Sequence, residues 1–447
     1  MALPPPPAPG VRALRAGYLA GRLQPRHVVD QVIERIAGRG DDAVWISLVE
    51  PRVLRERAEA LQGRDPRSLP LYGIPFAVKD NIDAHGLPTT AACPAFAYSP
   101  STDATAVRRL LDAGALLVGK TNLDQFATGL TGVRSPYGAC ESVFGGDLVA
   151  GGSSSGSAVA VAAGIVAFSL GTDTAGSGRV PAAMNGIVGL KPTRGLVSTA
   201  GVVPACRSLD CVSVFARDLD DAATVLGVAA GPDTADPWSR TPAPSRPLPG
   251  TPRLAVPDVA GLRADPGVTA VFEQVVARAR DAGAQVVPVD LEPFVAAGDL
   301  LYTGPWVAER LAGLAPFVQA HPDDVLPVTR AVLESGHRHS AVDAFRGMHR
   351  LQELRARCDR VWTDVDALLL PTTPTTFTRT QIHEDPIRRN LELGRFTQFA
   401  NLLDLAAVAV PGGFTADDRP VGVTLLGPAF TDAALLHIAR SVLQEAA

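Results

Sequence analysis

Two loops built from small residues, 151–157 and 171–178, constrain the fold of this 447-residue chain more than any other feature. The first reads Gly-Gly-Ser-Ser-Ser-Gly-Ser and opens a small-residue helix at 158–164, whereas the second follows an apolar stretch at 165–170. Small residues let other groups approach the backbone closely. No Gly-Lys-Ser/Thr follows the glycines, so a phosphate-binding loop is a poor interpretation of the first loop. A flexible loop is the remaining alternative.

Short apolar stretches alternate with helical patterns along most of the chain. The stretch Leu71–Val78, between Pro70 and Asp80, predicts a buried strand, and apolar residues at three-to-four spacing predict helix from residue 11 to about 63. Further strands are predicted at 116–118, 165–170, 254–256, 285–289, 367–370 and 421–426, and further helices at 105–112, 268–282, 294–364 and 433–445. The alternation predicts a mixed, layered α/β fold.

Composition excludes several functional classes. Hydrophobic residues make up 46% of the chain and charged residues 19%, which excludes disorder across the chain. The formal net charge of −5 offers no basic excess for nucleic acid or an anionic membrane, and the longest apolar run, 158–170, is too short to span a bilayer. The five cysteines form no CxxC pair, so a reducing compartment without disulfides fits best. With no signal peptide, we predict a cytoplasmic protein with a disordered Pro-rich tail at residues 1–10.

The candidate chemistry starts from Lys79, which ends the hydrophobic segment Gly73-Ile-Pro-Phe-Ala-Val-Lys-Asp. Burial of its stem among apolar neighbours would lower the pKa of the amine and make it a base near neutral pH, although a solvated charge is the commoner role for such a lysine. The loop at 171–178 presents consecutive backbone N–H groups at a strand end, which is the geometry of an oxyanion hole. Ser177 in that loop is placed to attack a carbonyl.

The three segments, in this order along the chain, resemble the amidase signature family. The resemblance covers nearly the whole chain and implies a single domain over residues 11–447, with a mixed β-sheet sandwiched between α-helices (α/β/α) and a largely helical substrate-side region at about 294–364. It also implies a Ser–cis-Ser–Lys triad, in which Ser177 is the nucleophile, Ser153 the bridging serine and Lys79 the base.

The chemistry of such a site is consistent with the residues themselves. A serine hydroxyl is a weak nucleophile at pH 7, and a neutral lysine reached through a second serine can accept its proton. The oxyanion would be held by backbone N–H groups of four consecutive residues, Thr174, Ala175, Gly176 and Ser177. No metal or organic cofactor is required.

Two more distinctive segments, 201–213 and 301–310, resemble the allophanate hydrolase branch of that family. Allophanate is a small, flat anion, namely a urea that carries a carboxylate. A guanidinium can bind such a carboxylate through two hydrogen bonds, and a phenol can add one more. By resemblance, Tyr302 and Arg310 anchor the substrate and Gly129 supplies a close backbone contact. The alternative is a surface tyrosine and an ordinary helix salt bridge.

The resemblance also implies partners, and the chain differs from the family pattern in one respect. It implies a homodimer and a pathway link to a biotin-dependent urea carboxylase, with release of ammonia and carbon dioxide, and no nucleic acid or membrane is expected. The additional C-terminal domain usual in allophanate hydrolases is expected to be absent, because the sequence stops where the amidase domain would end. A broader small-amide amidase and an A-type amidotransferase subunit that acts in a complex remain alternatives.

Rival nucleophiles and metal ligands are less consistent with the sequence. Of the eight histidines, His85 alone lies close in sequence to one of the three segments. The pair His337 and His339 with His349 could suggest a metal site, but solvated helix histidines are the commoner case. Cys206 and Cys211 are expected to be packing residues, because neither lies in an oxyanion-type turn.

Overall fold

All strands in the described part of the chain join one mixed sheet. The structure, a computed structural model, describes residues 9–242 and 250–443. The strand order is β1-β3-β2-β4-β6-β5-β10-β11-β9-β7-β8. The strands are β1 (Trp45–Leu48), β2 (Pro75–Lys79), β3 (Leu116–Thr121), β4 (Phe168–Asp173), β5 (Val188–Lys191), β6 (Cys211–Ala216), β7 (Arg253–Pro257), β8 (Gln285–Val289), β9 (Ala367–Pro371), β10 (Leu405–Phe414) and β11 (Pro420–Pro428). The expected mixed α/β fold is confirmed.

Helices fill most of the connections. The helices are α1 (Val11–Leu19), α2 (Pro25–Arg39), α3 (Pro51–Leu61), α4 (Thr105–Asp112), α5 (Ser155–Ala162), α6 (Val180–Met184), α7 (Leu219–Ala229), α8 (Pro266–Asp281), α9 (Glu292–Thr303), α10 (Trp306–Ala320), α11 (Pro327–Glu334), α12 (Ala341–Cys358), α13 (Arg379–Glu384), α14 (Arg388–Leu393), α15 (Phe399–Leu402) and α16 (Asp432–Val442). The region expected to be largely helical contains α9 to α12. Within the described ranges, no helix is long and apolar enough to cross a membrane.

Burial along the strands shows where the core lies. Every residue of β2, β3, β4, β5, β6 and β9 is buried. Because successive side chains of a strand point to opposite faces, complete burial means that both faces of the central sheet are covered. The edge strands β1 and β8 contain half-buried and exposed residues instead.

Several elements differ from the sequence prediction. Strand β1 lies inside the stretch predicted as helix, because it gains its hydrogen bonds from β3, more than 70 residues later, as in the pair Trp45–Thr121. Strand β4 begins at Phe168 instead of residue 165 and extends to Asp173, so Thr172 is part of the strand and not of the turn. Strands β5, β6 and β10 were not predicted. Of the predicted disordered tail, residues 1–8 lie outside the described residues.

The first helix is held to the body of the protein by a cap from a distant part of the chain. The backbone N–H groups of Val11 and Arg12 donate to the Asp221 carboxylate at 2.7 and 2.8 Å. These two groups are among the donors at the start of α1 that have no partner within the helix. Asp221 lies on α7, so a buried carboxylate replaces a local N-cap and joins the two helices.

We expect Asp221→Ala to loosen α1 selectively. Loss of the cap leaves buried donors without partners and should cost about 1–3 kcal/mol. Hydrogen exchange of the amides of α1 should accelerate, while the amides of β2 and β4 stay protected. The control is Asp220→Ala, whose ion pairs with Arg12 and Arg440 are surface pairs that contribute about 0–1 kcal/mol. Equal exchange in the two variants would contradict the cap.

Candidate active site

The amine of Lys79 lies at the carboxyl end of β2, where two parallel strands end side by side. Strands β2 and β4 are parallel, with Val78 opposite Leu170. This register places Thr172 beside Lys79, and the lysine Nζ donates to Thr172 Oγ1 at 2.6 Å and to Ser153 Oγ at 2.8 Å. Lys79 is completely buried. The lysine and Ser153 of the sequence prediction are therefore in direct contact.

Burial sets the charge of this lysine. Removal from water lowers the pKa of Lys79 from 10.5 to about 7, although Asp124, Asp210 and Asp173 act in the opposite direction. A substantial fraction of the amine is therefore neutral near pH 7. A neutral amine has a lone pair and can accept a proton.

The loop that contains Ser153 is held against a buried aspartate. The peptide bond between Gly152 and Ser153 is cis. The Ser153 carbonyl accepts from the N–H of Asp124 at 3.0 Å, and the Gly152 N–H donates to Leu130 O at 2.8 Å. A Cβ atom added to Gly152 would lie 2.1 Å from Asp124 Oδ2. The small residues of this loop are therefore required by close packing, as the sequence predicted for this kind of segment.

The second loop is wrapped around Asp173, the last residue of β4. The Asp173 carboxylate accepts from the N–H groups of Gly176 and Gly178, both at 3.0 Å, and binds Arg179 through two hydrogen bonds of 2.9 and 3.0 Å. Both charged side chains are fully buried. Burial alone would raise the pKa of Asp173, but the Arg179 charge and its hydrogen bonds hold that pKa below the usual value. The turn is thus fixed by a buried ion pair.

Ser177 lies in this turn with its hydroxyl free. The residue is 3% exposed, and in residues 9–242 and 250–443 its side chain makes no hydrogen bond. The contact from Ser153 to Ser177 that the triad needs is therefore not formed, whereas the contact from Lys79 to Ser153 is.

Three of the four predicted oxyanion donors are available. Over the described residues, the backbone N–H groups of Thr174, Ala175 and Ser177 have no hydrogen-bond acceptor. The Gly176 N–H differs from the prediction, because it donates to Asp173 Oδ1. The prediction from the sequence counted consecutive N–H groups without the carboxylate around which the turn is folded.

Arg310 on α10 is a buried cation without a carboxylate partner. It is 1% exposed, and its nearest polar contact is a long one, from Nη1 to Thr128 Oγ1 at 3.5 Å. Its Nε has no partner, and no carboxylate lies within 4.0 Å of it among the described residues. The ring centre of Tyr302 lies 5.3 Å from its Cζ atom. The helix salt bridge considered as the alternative is therefore absent from the described structure.

Tyr302 lies against this cation, and Gly129 follows a residue that contacts it. Tyr302 is half-buried at the end of α9, and its hydroxyl has no hydrogen bond in the described part of the chain. Gly129 follows Thr128, and a Cβ atom added to it would lie 2.5 Å from Asp124 Oδ2. The loop from Asp124 to Gly129 thus contacts both Ser153 and Arg310.

Three polar residues at the site were not predicted from the sequence. Thr172 binds the lysine, and Thr128 binds Arg310. Asp210 accepts hydrogen bonds from Thr174 Oγ1 and from the N–H of Ala205 and Cys206. Burial raises the pKa of Asp210 to about 6, against the lowering effect of its bond with Thr174. Of these three residues, only Thr172 had a signal in the sequence, because it lies five residues before Ser177.

The rival nucleophiles lie in unsuitable surroundings. His85, His337 and His349 are exposed side chains. Cys206 and Cys211 are buried, and burial raises the pKa of both thiols, so the reactive thiolate is disfavoured. The described residues contain no group of three or more His, Cys, Asp or Glu side chains that could hold a metal ion.

Comparison with known proteins identifies the class. Residues 27–436 match the family model described as amidase, and the chain belongs to the amidase family. It is 45% identical over 429 residues to urea amidolyase of Lachancea kluyveri, covering 94% of this chain but 23% of that protein. The crystallised allophanate hydrolase of Kluyveromyces lactis is 41% identical, with a TM-score of 0.91, and the match covers 98% of this chain and 72% of that one.

A second group of relatives consists of amidotransferase components. The A-type subunit of the glutamyl-tRNA(Gln) amidotransferase from Symbiobacterium thermophilum is 38% identical, and the match covers 94% of this chain and 93% of that one. The chain thus spans nearly the full length of this relative, whereas it spans less than a quarter of urea amidolyase.

We expect the pH dependence of stability to show that Lys79 is neutral when folded. Between about pH 7 and 10.5 the unfolded chain binds a proton at this lysine that the folded protein does not, so the free energy of unfolding rises with pH. Lys79→Met should remove this contribution, up to about 1.4 kcal/mol per pH unit. The measurement is denaturant unfolding of both proteins from pH 7 to 10.

The control for this experiment is Ser177→Ala, which keeps the lysine and should keep the wild-type slope. If wild type and Lys79→Met had parallel stability profiles over this pH range, the amine would be charged in the folded protein.

Proposed function

We propose that the protein is an allophanate hydrolase. The observation that carries the proposal is the buried Arg310, which lacks a carboxylate partner in the described structure and whose charge helps to lower the pKa of Lys79. An isolated buried cation is costly unless a ligand supplies the opposite charge. A small amide with its own carboxylate supplies that charge and places its amide carbon at the serines.

The first step is attack of Ser177 Oγ on the terminal amide carbon of allophanate. The hydroxyl proton of Ser177 passes to Ser153 Oγ. At the same time Ser153 passes its own proton to the neutral Lys79 Nζ, which lies 2.8 Å from Ser153 Oγ. The C–N bond then breaks, and the same route returns the proton to the departing nitrogen, which leaves as ammonia. Closure of the contact between Ser177 and Ser153 accompanies substrate binding in this scheme.

In this scheme the oxyanion forms next to the backbone N–H groups of the turn. The free N–H groups of Thr174, Ala175 and Ser177 point to this role, while the ion pair of Asp173 and Arg179 keeps the turn from rearranging. A single donor of this kind contributes about 3–4 kcal/mol to barrier lowering in enzymes.

Water then attacks the acyl-enzyme, again with Lys79 as the base. The product is a dicarboxylated amine, which loses carbon dioxide to give carbamate and then a second ammonia and carbon dioxide. The overall balance is allophanate, one proton and one water giving two ammonia and two carbon dioxide. A biotin-dependent urea carboxylase is the partner enzyme that would supply allophanate, consistent with the similarity to urea amidolyase.

An A-type amidotransferase component is the second candidate, because the chain spans 93% of one such relative. That role requires partner chains and tRNA. Ammonia release by the isolated chain from a free small amide favours the hydrolase instead.

We expect the purified protein to release ammonia from allophanate without any added chain. Ser177→Ala should lower the rate by at least about a thousandfold, since the remaining hydrogen-bond donors cannot replace the nucleophile. Released ammonia is the measurement. Turnover of malonamide but not of allophanate would contradict the substrate assignment, and activity of Ser177→Ala equal to wild type would contradict the nucleophile.

We expect Arg310→Ala to lower kcat/KM for allophanate by about a hundredfold or more, because two charge-assisted hydrogen bonds to the carboxylate are lost. A neutral small amide serves as the control substrate, and its turnover should change much less. Tyr302→Phe should have a smaller effect in the same direction, since it removes one neutral hydrogen bond. Equal losses on charged and neutral substrates would contradict a carboxylate-binding role for Arg310.

A further inference from the structure

Two clefts beside the site share part of their walls. One has a volume of about 420 Å³ and contains Asp210 in its wall, and the other, of about 430 Å³, contains Arg310. Both are lined by Pro204, Arg207, Trp238 and Gly313, and this shared wall is called the mouth below. Arg207 is exposed and Trp238 is 44% exposed, so the mouth faces solvent.

Each cleft has one wall residue that is linked to the site, Asp210 in the first and Arg310 in the second. Asp210 binds Thr174, a residue of the oxyanion turn. Arg310 binds Thr128 and is the cation assigned above to the substrate carboxylate. A molecule bound at Arg207 in the second cleft therefore lies in the same cavity as the cation assigned to the substrate carboxylate.

The charged side chains in the walls of the two clefts differ in whether they have hydrogen-bond partners. The carboxylates in the walls accept hydrogen bonds from neighbouring side chains or backbone; they are Asp83, Asp210, Asp236 and Glu309. Arg207, by contrast, has no ion pair or hydrogen bond within the described residues. An anion that approaches this mouth is repelled by the walls and attracted by one exposed guanidinium.

We propose that Arg207 is a specificity-determining residue that captures anionic substrates at the mouth and passes them to Arg310. The inference rests on the proposed function, because it concerns how an amide with a carboxylate reaches that site. An exposed positive charge among walls that otherwise repel anions attracts an anionic substrate and accelerates its association. Neutral amides gain nothing from it.

The test compares charge variants of Arg207 with allophanate as the substrate. Arg207→Glu should lower kcat/KM about tenfold at low ionic strength, with kcat nearly unchanged. The deficit should shrink toward wild type at about 0.5 M salt, where the Debye length is a few ångströms. Arg207→Lys should retain most of the wild-type value. The matched control is Arg57→Glu, which makes the same charge change at an exposed arginine of α3 that lines neither cleft.

A neutral analogue separates capture from a structural role. Biuret has an amide where allophanate has its carboxylate, and its kcat/KM, or its inhibition constant if it is not turned over, should be the same in wild type and Arg207→Glu. Kinetics of Arg207→Glu that match Arg57→Glu would overturn the inference, as would a loss that is independent of salt and equal for biuret. Wild type that releases no ammonia from allophanate would instead overturn the proposed function itself.

Discussion

The removal of one amine from water is the constraint on which the rest of the structure depends. Lys79 is completely buried, and the cost of burying its charge shifts it toward the neutral form near pH 7. The buried amine is satisfied by Thr172 on the parallel neighbour strand and by Ser153 on the small-residue loop. That burial requires small residues in the loop above it, because Gly152 already touches Asp124. The neutral state of the Lys79 amine and the close packing of the central sheet therefore depend on the same burial.

Much of this arrangement could be predicted from the sequence, and the parts that could not share a cause. The α/β alternation is visible in local patterns, and so are the glycine-rich loops and the terminal lysine of β2. Thr128 and Asp210 could not be found, because each acquires its importance from a partner far away in the chain, Arg310 in one case and Thr174 in the other. Gly176 was misjudged for the same reason, since the folding of the turn around Asp173 is a three-dimensional fact.

One part of the site is fixed by hydrogen bonds, whereas another part contains polar groups without hydrogen-bond partners. On one side, the buried Asp173 carboxylate binds Arg179 and two N–H groups of the turn and fixes its shape. On the other, Arg310 keeps a donor without a partner, and Ser177 has a free hydroxyl in the described structure. Such groups reduce stability, and natural proteins tolerate them mostly where function requires them. The groups without hydrogen-bond partners therefore lie at the end of the site where Arg310 provides an unpaired positive charge.

The cap that Asp221 provides for α1 has a consequence for synthesis of the chain. The residue that completes the first helix follows it by 210 positions. At about 5–20 residues per second, a ribosome needs roughly 10–40 s to deliver it. During that interval the first two N–H groups of the helix have emerged without the carboxylate that they bind in the folded protein. Completion of the start of this helix is thus a late event, whereas its contact from Tyr18 to Gly73 can form much earlier.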